Sequence, residues 1–200
     1  MCKTLFLYVI LLFSLSMPVY AGIVVSINPV ETQLGLGEIV GITLDIAGLG
    51  NGVALGSFDL SIDFDPALLQ FNHVVFGDPL LGDQLDLAKQ GQNLPSVTTT
   101  VGSVSLIEFS WDDSFVLLGQ QANSFTLASL YFTAISSGIS PLNLSLHSLA
   151  DSEANYLVAD NGNGSVSIHA PINAVPEPAA IWLLIPGLAL LMFKRRNLHG

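Results

Sequence analysis

The residues that could do chemistry are few. Between Gly22 and Val175 the chain carries three histidines, His73, His147 and His169, in separate segments with no His-Glu-x-x-His spacing. Ser57 follows Gly56 but is not set in a Gly-x-Ser-x-Gly elbow. The single cysteine, Cys2, precedes the domain, so thiolate metal sites, disulfides and a cysteine nucleophile are absent from the expected mature protein. Asp160-Asn161-Gly162-Asn163-Gly164 has cation-loop residue types but lacks the Asp-x-Asp-x-Asp-Gly spacing and distal glutamate of a calcium loop. It reads as a type I′-like turn ordered by Asn and Gly. Asp112-Asp113, after Trp111, reads as loop and not as a ligand pair. No catalytic residue, metal site or cofactor is expected, and the protein reads as a non-enzyme.

The same 154 residues hold 15 acids against one base, Lys89, a formal charge of −14. Such a surface repels nucleic-acid backbones, which excludes DNA and RNA as partners. Such a charge can keep a domain soluble and can attract divalent cations. Sugar sites need exposed aromatic platforms. Trp111 is in phase with Ile107 and Phe109 and is expected in the core, whereas Tyr131 shares a face with Ser129 and Thr133 and is expected to be exposed.

The elements that must position these groups are strands. Phe58, Leu60, Ile62 and Phe64 alternate with Ser57, Asp59, Ser61 and Asp63. Val40, Ile42, Leu44 and Ile46 repeat the pattern, as do Leu142, Leu144 and Leu146, with shorter runs at Ile23 to Ile27, Leu130 to Ala134 and Val166 to Ile168. Alternation of this kind buries one strand face and solvates the other. Glycine- and proline-rich turns separate the runs, at Gly35 to Gly37, Gly48 to Gly52, Asp65-Pro66 and Asp160 to Gly164. Helix is limited to one or two turns, with Pro66 to Gln70 and Pro79 to Lys89 as candidates. Many one-faced strands in one domain predict an antiparallel β-sandwich. The solvated strand residues Ser57, Asp59, Ser61 and Asp63 are the candidate partner-binding face, set against the plain alternative that half-buried strands simply require polar outer residues.

Both ends read as export signals. Lys3, the apolar run Leu5 to Leu15, Pro18 and the small-residue pattern ending at Ala21 predict a signal peptide over 1–21, cut between Ala21 and Gly22. The run is short for an uncleaved span. At the other end, a Pro-rich linker over 171–178 contains Val175-Pro176-Glu177-Pro178. An uncharged stretch over 179–193 follows, then a basic tail over 194–200 with Lys194, Arg195 and Arg196. Fifteen helical residues reach only about 22 Å at ~1.5 Å each, short of a ~30 Å hydrocarbon core. The basic cluster would keep the C-terminus cytoplasmic.

This order of motif, short transmembrane helix and basic stop resembles the PEP-CTERM sorting tails. The resemblance covers the last 26 residues or so. It implies an exosortase as processing partner, contact with the membrane through the helix, and a cell-surface or matrix destination in a Gram-negative bacterium that makes exopolysaccharide.

The domain over 22–170 resembles the cohesin family. The residues that carry the match are the strand Ile23 to Ile27, Gly37-Glu38 before Ile39 to Ile46, and Phe58 to Phe64 running into Asp65-Pro66-Ala67-Leu68-Leu69-Gln70-Phe71. Thr126 to Phe132, Gly138 to Leu142 and Asn163 to Ile168 follow in family order. The resemblance implies a jelly-roll sandwich of about nine strands that binds a dockerin-like protein through one sheet face, with the polar residues from Ser57 to Asp63 near that contact. The segment Gly77 to Pro95 departs from the pattern. The alternative is a carbohydrate-binding module that retains exopolysaccharide, with Tyr131 as its platform.

Overall fold

The computed structural model describes residues 22–170 apart from 51 and 92. Among these residues eleven strands form two facing sheets. In chain order they are β1 (Ile23–Asn28), β2 (Glu31–Gly35), β3 (Ile39–Ala47), β4 (Leu55–Asp63), β5 (Leu69–Phe76), β6 (Ser96–Thr100), β7 (Ser103–Phe109), β8 (Phe125–Ala134), β9 (Gly138–Asp151), β10 (Ala159–Gly162) and β11 (Gly164–His169). One short helix, α1 (Ser114–Gln120), stands between β7 and β8. The five-stranded sheet has the order β10-β1-β3-β8-β5, and the six-stranded sheet the order β2-β11-β9-β4-β7-β6.

The expected sandwich is present, with a correction to its pairing and strand number. The sheets are mixed: β1 pairs parallel with β10, and β11 pairs parallel with β2. The cause lies in the first and last chain segments. Each starts in the five-stranded sheet and crosses within one or two residues to the six-stranded one, so each counts as two strands. Periodicity cannot show such a crossing, because both halves keep their alternation.

The apolar residues of the alternating runs build the core. Val25, Ile27, Ile42, Leu44, Ile46, Phe58, Leu60, Ile62, Leu130, Phe132, Leu142, Leu144, Val166 and Ile168 are all buried. Phe132 collects Phe64 and Phe71 edge-on, with ring centroids 5.1 and 5.6 Å away, the arrangement that aromatic quadrupoles favour. Replacing a ring buried like Phe58 by alanine costs roughly 3–5 kcal/mol.

Three local expectations are corrected. Asp160 to Gly164 is not a hairpin turn but the crossing from β10 to β11. Asn161 donates to the Leu144 carbonyl at 2.5 Å, and Asn163 accepts from the Leu144 amide at 2.9 Å, so both side chains serve a neighbouring strand. Neither Pro66 to Gln70 nor Pro79 to Lys89 is a helix; both are turns, and Leu69 and Gln70 already belong to β5. The helix forms instead at Ser114–Gln120, where Asp113 caps it by accepting from the Phe115 amide at 2.8 Å. Trp111 lies outside the core, 66% exposed.

Among the described residues no helix is long and apolar enough to cross a membrane. The sequence-predicted signal peptide, the Pro-Glu-Pro linker, the helix over 179–193 and the basic tail lie outside the described residues.

Candidate functional site

The outer face of the six-stranded sheet is the candidate site, and β4 lies near its centre between β9 and β7. Alternation sends Phe58, Leu60 and Ile62 inward and leaves Ser57, Asp59, Ser61 and Asp63 on the other side. The register then fixes their neighbours. Across β7, Ser57 faces Phe109, Asp59 faces Ile107, Ser61 faces Ser105 and Asp63 faces Ser103. Across β9, Asp59 faces Ser148, Ser61 faces Ser145 and Asp63 faces Asn143. Thr98 and Thr100 of β6 continue the rows beyond Ser105 and Ser103.

The four candidate residues are therefore brought together in one line, but they differ in access. Asp63 is exposed, Ser57 and Asp59 are half-buried, and Ser61 is only 7% exposed. The Ser61 hydroxyl and His147 Nε2 are hydrogen-bonded at 3.0 Å. His147 is an exposed residue held by this bond, and the pair covers the middle of the row. Neighbouring strands add small hydroxyl side chains, Ser103 and Ser105 from β7 and Ser145 and Ser148 from β9.

One end of this face is apolar, a feature the sequence reading placed wrongly. In β7 the buried residues are Val104, Leu106 and Glu108, so Ile107 and Phe109 point outward. Phe109 is 50% exposed and Trp111, just past the strand end, more so; Leu94, whose amide bonds to the Phe109 carbonyl, is exposed beside them. The correction has a simple origin. Leu106-Ile107 puts two apolar residues in succession, so the segment satisfies either phase. Ser103 and Ser105 opposite Val104 were the signal that could have selected the observed one. Gly56 supports this end too, since a Cβ there would lie 2.4 Å from the Asp151 carbonyl oxygen. The close approach admits only hydrogen at that position.

Tyr131 lies on the opposite sheet and is half-buried, not free. Its ring stacks on His73 with centroids 4.5 Å apart and 12° between planes. Its Cε1 also sits over Gly41, 3.0 Å from where a Cβ would be. A sugar platform needs an open ring face, and here His73 takes one face.

Inside the sandwich, Glu108 is the group that neither motif nor composition signalled. It is 1% exposed, and burial together with the nearby Asp83 carboxylate pushes its carboxyl up to about 8. Asp78 is held below the usual carboxylate range: partial burial acts upward, but amide donors from Thr126, Leu81 and Leu80 outweigh it. Asp78 thus ties the 77–95 segment to β8 through Thr126 at 2.9 Å. Asp112 and Asp113 are loop and cap residues, with Asp112 accepting from the Ala88 amide at 3.2 Å.

No protein-family model and no curated protein matches the sequence. Solved structures do match. A Clostridium thermocellum structure described as a type I cohesin–dockerin complex aligns with TM-score 0.58 at 15% identity, over 74% of this chain and 100% of the other. The seventh ScaB type I cohesin of Pseudobacteroides cellulosolvens aligns with TM-score 0.59 at 16% identity, over 78% and 97%. A non-cellulosomal cohesin of the archaeon Archaeoglobus fulgidus aligns with TM-score 0.55 at 16% identity, over 77% and 96%. At these identities the likeness is one of fold: residues 22–170 form a cohesin-like β-sandwich.

Proposed function

We propose that this chain is an exported, non-catalytic docking protein whose six-stranded sheet binds a protein partner through its outer face. The observation that carries the reading is the combination on that face: a hydroxyl-rich row on β4 and its neighbours, carboxylates at Asp59 and Asp63, and an exposed apolar end at Phe109 and Trp111. Six strands at ~4.8 Å spacing and some seven residues at ~3.4 Å give a face of about 700 Å², near the ~800 Å² each partner contributes to a standard interface. Apolar anchors with a polar surround are the usual anatomy of such surfaces.

Several of the solved structures of this fold are cohesins bound to dockerins. A dockerin-like module is the partner class this supports. With 15 acids and one base in the domain, the partner presents a basic surface, and association slows as salt is raised. The signal peptide over 1–21 delivers the domain outside the inner membrane. The Pro-Glu-Pro linker, helix and basic tail present it to an exosortase, which fixes its place at the cell surface or in the matrix.

The test is direct. The domain from Gly22 to Ala170 is offered to surface-protein extracts and, in parallel, to a glycan array. Protein capture lost on Asp59→Arg supports the reading. Saturable sugar binding lost on Tyr131→Ala would establish the exopolysaccharide alternative in its place. For the tail, Pro176, Glu177 and Pro178 are replaced by alanine and the cells fractionated. Altered processing and location are expected; an unchanged mature size and location contradicts the exosortase role.

A further inference from the structure

A sheet edge is a row of unused backbone donors and acceptors, and folds blunt it with charge, bulges or short strands. The sandwich has four such edges, and three are blunted. β2 carries Glu31, β10 is four residues long and carries Asp160, and β5 is broken by a bulge between Phe71 and His73. The fourth is β6, Ser96-Val97-Thr98-Thr99-Thr100. It holds no charge, proline or glycine, its register with β7 is unbroken, and all five residues are exposed. Its β-branched residues favour an extended, paired strand. Among the described residues it has β7 on one side and no strand on the other.

The hairpin settles which backbone groups are free. Val101-Gly102 is a two-residue turn, so Thr100 and Ser103 exchange backbone bonds, and Thr98 with Ser105 and Ser96 with Ile107 repeat the exchange. Val97 and Thr99 therefore direct their amides and carbonyls to the open side. Charge is unevenly placed along that side. At the Ser96 end stands Asn93, bonded to the Asp83 and Glu108 carboxyls, with the acids of the 77–95 segment. At the turn end, the hollow beside Thr99 and Val101 is walled by Phe64, Phe71 and Ile135 and has no charged residue in its lining. Val101 is 91% exposed there, and Leu94 is exposed at the other end.

We propose that β6 is the contact edge of a symmetric homodimer, in which two copies pair it antiparallel about Thr98 and join their six-stranded sheets into one of twelve strands. A second copy is the occupant this edge fits. With 15 acids and one base in the domain, copies repel wherever carboxylates would be set together, and β6 is the edge where strand meets strand without one. Pairing about Thr98 sets Val97 against Thr99 of the other copy, twice over, so the free groups of both strands are used. It also brings the turn end of each copy, with Val101, to the Ser96 end of the other, beside Leu94. The two acidic segments are thereby held apart, whereas parallel pairing would set them side by side. A twofold contact of this kind is closed and stops at two copies. Five residues at ~3.4 Å make only about 17 Å of paired strand, so the dimer is one that dissociates. Both outer faces of the joined sheet look to the same side.

The experiment traps the pair in the full chain in mild detergent. The chain's one cysteine is removed by Cys2→Ser, and a thiol is placed in β6. Thr98→Cys sets two thiols across the twofold axis with about 4.5 Å between Cα atoms, within disulfide reach. Thr100→Cys faces Ser96 of the other copy, and its two thiols stand about 14 Å apart along the strands, out of reach. Under mild oxidation Thr98→Cys is expected to give the linked dimer at least tenfold faster than Thr100→Cys. Adding Thr99→Pro, which removes an outward amide and leaves the bonds to β7 in place, lowers the Thr98→Cys rate to that of Thr100→Cys. Equal rates for Thr98→Cys and Thr100→Cys, or a Thr98→Cys rate untouched by Thr99→Pro, overturn the dimer. Linking of Thr98→Cys in whole cells to a different protein, and not to itself, assigns the edge to a foreign strand and overturns it as well. Should Thr99→Pro fail to fold, Thr98→Cys against Thr100→Cys decides alone.

Discussion

Single residues in this sandwich are decided by which face they occupy, and β7 shows how much rests on that. Glu108 turned inward is an acid whose folded-state pKa stands near 8, well above its ordinary 4.5. The folded state therefore binds more protons than the unfolded chain between those values, and stability falls as pH rises through that window. The melting temperature is expected to be lower at pH 8.5 than at pH 6, with the Glu108 share of that fall removed in Glu108→Gln; thermal scans at the two pH values measure it. Trp111 gives the complementary prediction. A core tryptophan replaced by alanine costs about 3–5 kcal/mol, whereas an exposed one costs about 0.5 kcal/mol or less. Urea unfolding of Trp111→Ala is expected to match the parent within that margin. Ser57, Asp59, Ser61 and Asp63 were legible as an outward row because their alternation is faultless. Glu108 and Trp111 were not, because Leu106-Ile107 lets either phase stand and one slip exchanges the two faces.

At the scale of elements, strands were legible and their joints were not. The runs at Val40 to Ile46 and Phe58 to Phe64 carry their own evidence, since burial on one side demands the alternation seen. Asp160 to Gly164 carries turn residues yet crosses between sheets, because Asn161 and Asn163 spend their side chains on Leu144 and leave the backbone extended. The described residues of the 77–95 segment form turns and one short bridge between Asp78 and Gly82, and side-chain bonds add to the backbone ones that hold them. Asp78 is one of its ties, accepting from Leu80 and Leu81 at 2.8 and 2.9 Å within the segment and from Thr126 of β8. Asp78→Ala is expected to speed hydrogen exchange at these three amides at least tenfold while leaving the β3 amides protected. Exchange followed by NMR checks it, and equal rates in both proteins would contradict the tie. The cap at Asp113 is a smaller matter: its loss costs about 1 kcal/mol and frays a seven-residue helix.

For the whole molecule, the two faces of the sandwich are unlike. The five-stranded sheet shows a closed aromatic pair, His73 on Tyr131, while the six-stranded sheet shows open carboxylates and exposed Phe109 and Trp111. The sandwich itself followed from many one-faced strands. Its mixed pairing did not, since parallel contacts between the first and last segments are set by their sheet crossings and leave no mark in either sequence. The central claim is that the six-stranded face grips a protein, and affinity for the captured partner across three variants tests it most directly. Binding is expected to fall at least a hundredfold in Asp59→Arg and at least tenfold in Trp111→Ala, and to stay unchanged in Thr133→Arg on the opposite sheet. Equal affinity in all three, or loss confined to Thr133→Arg, would contradict it.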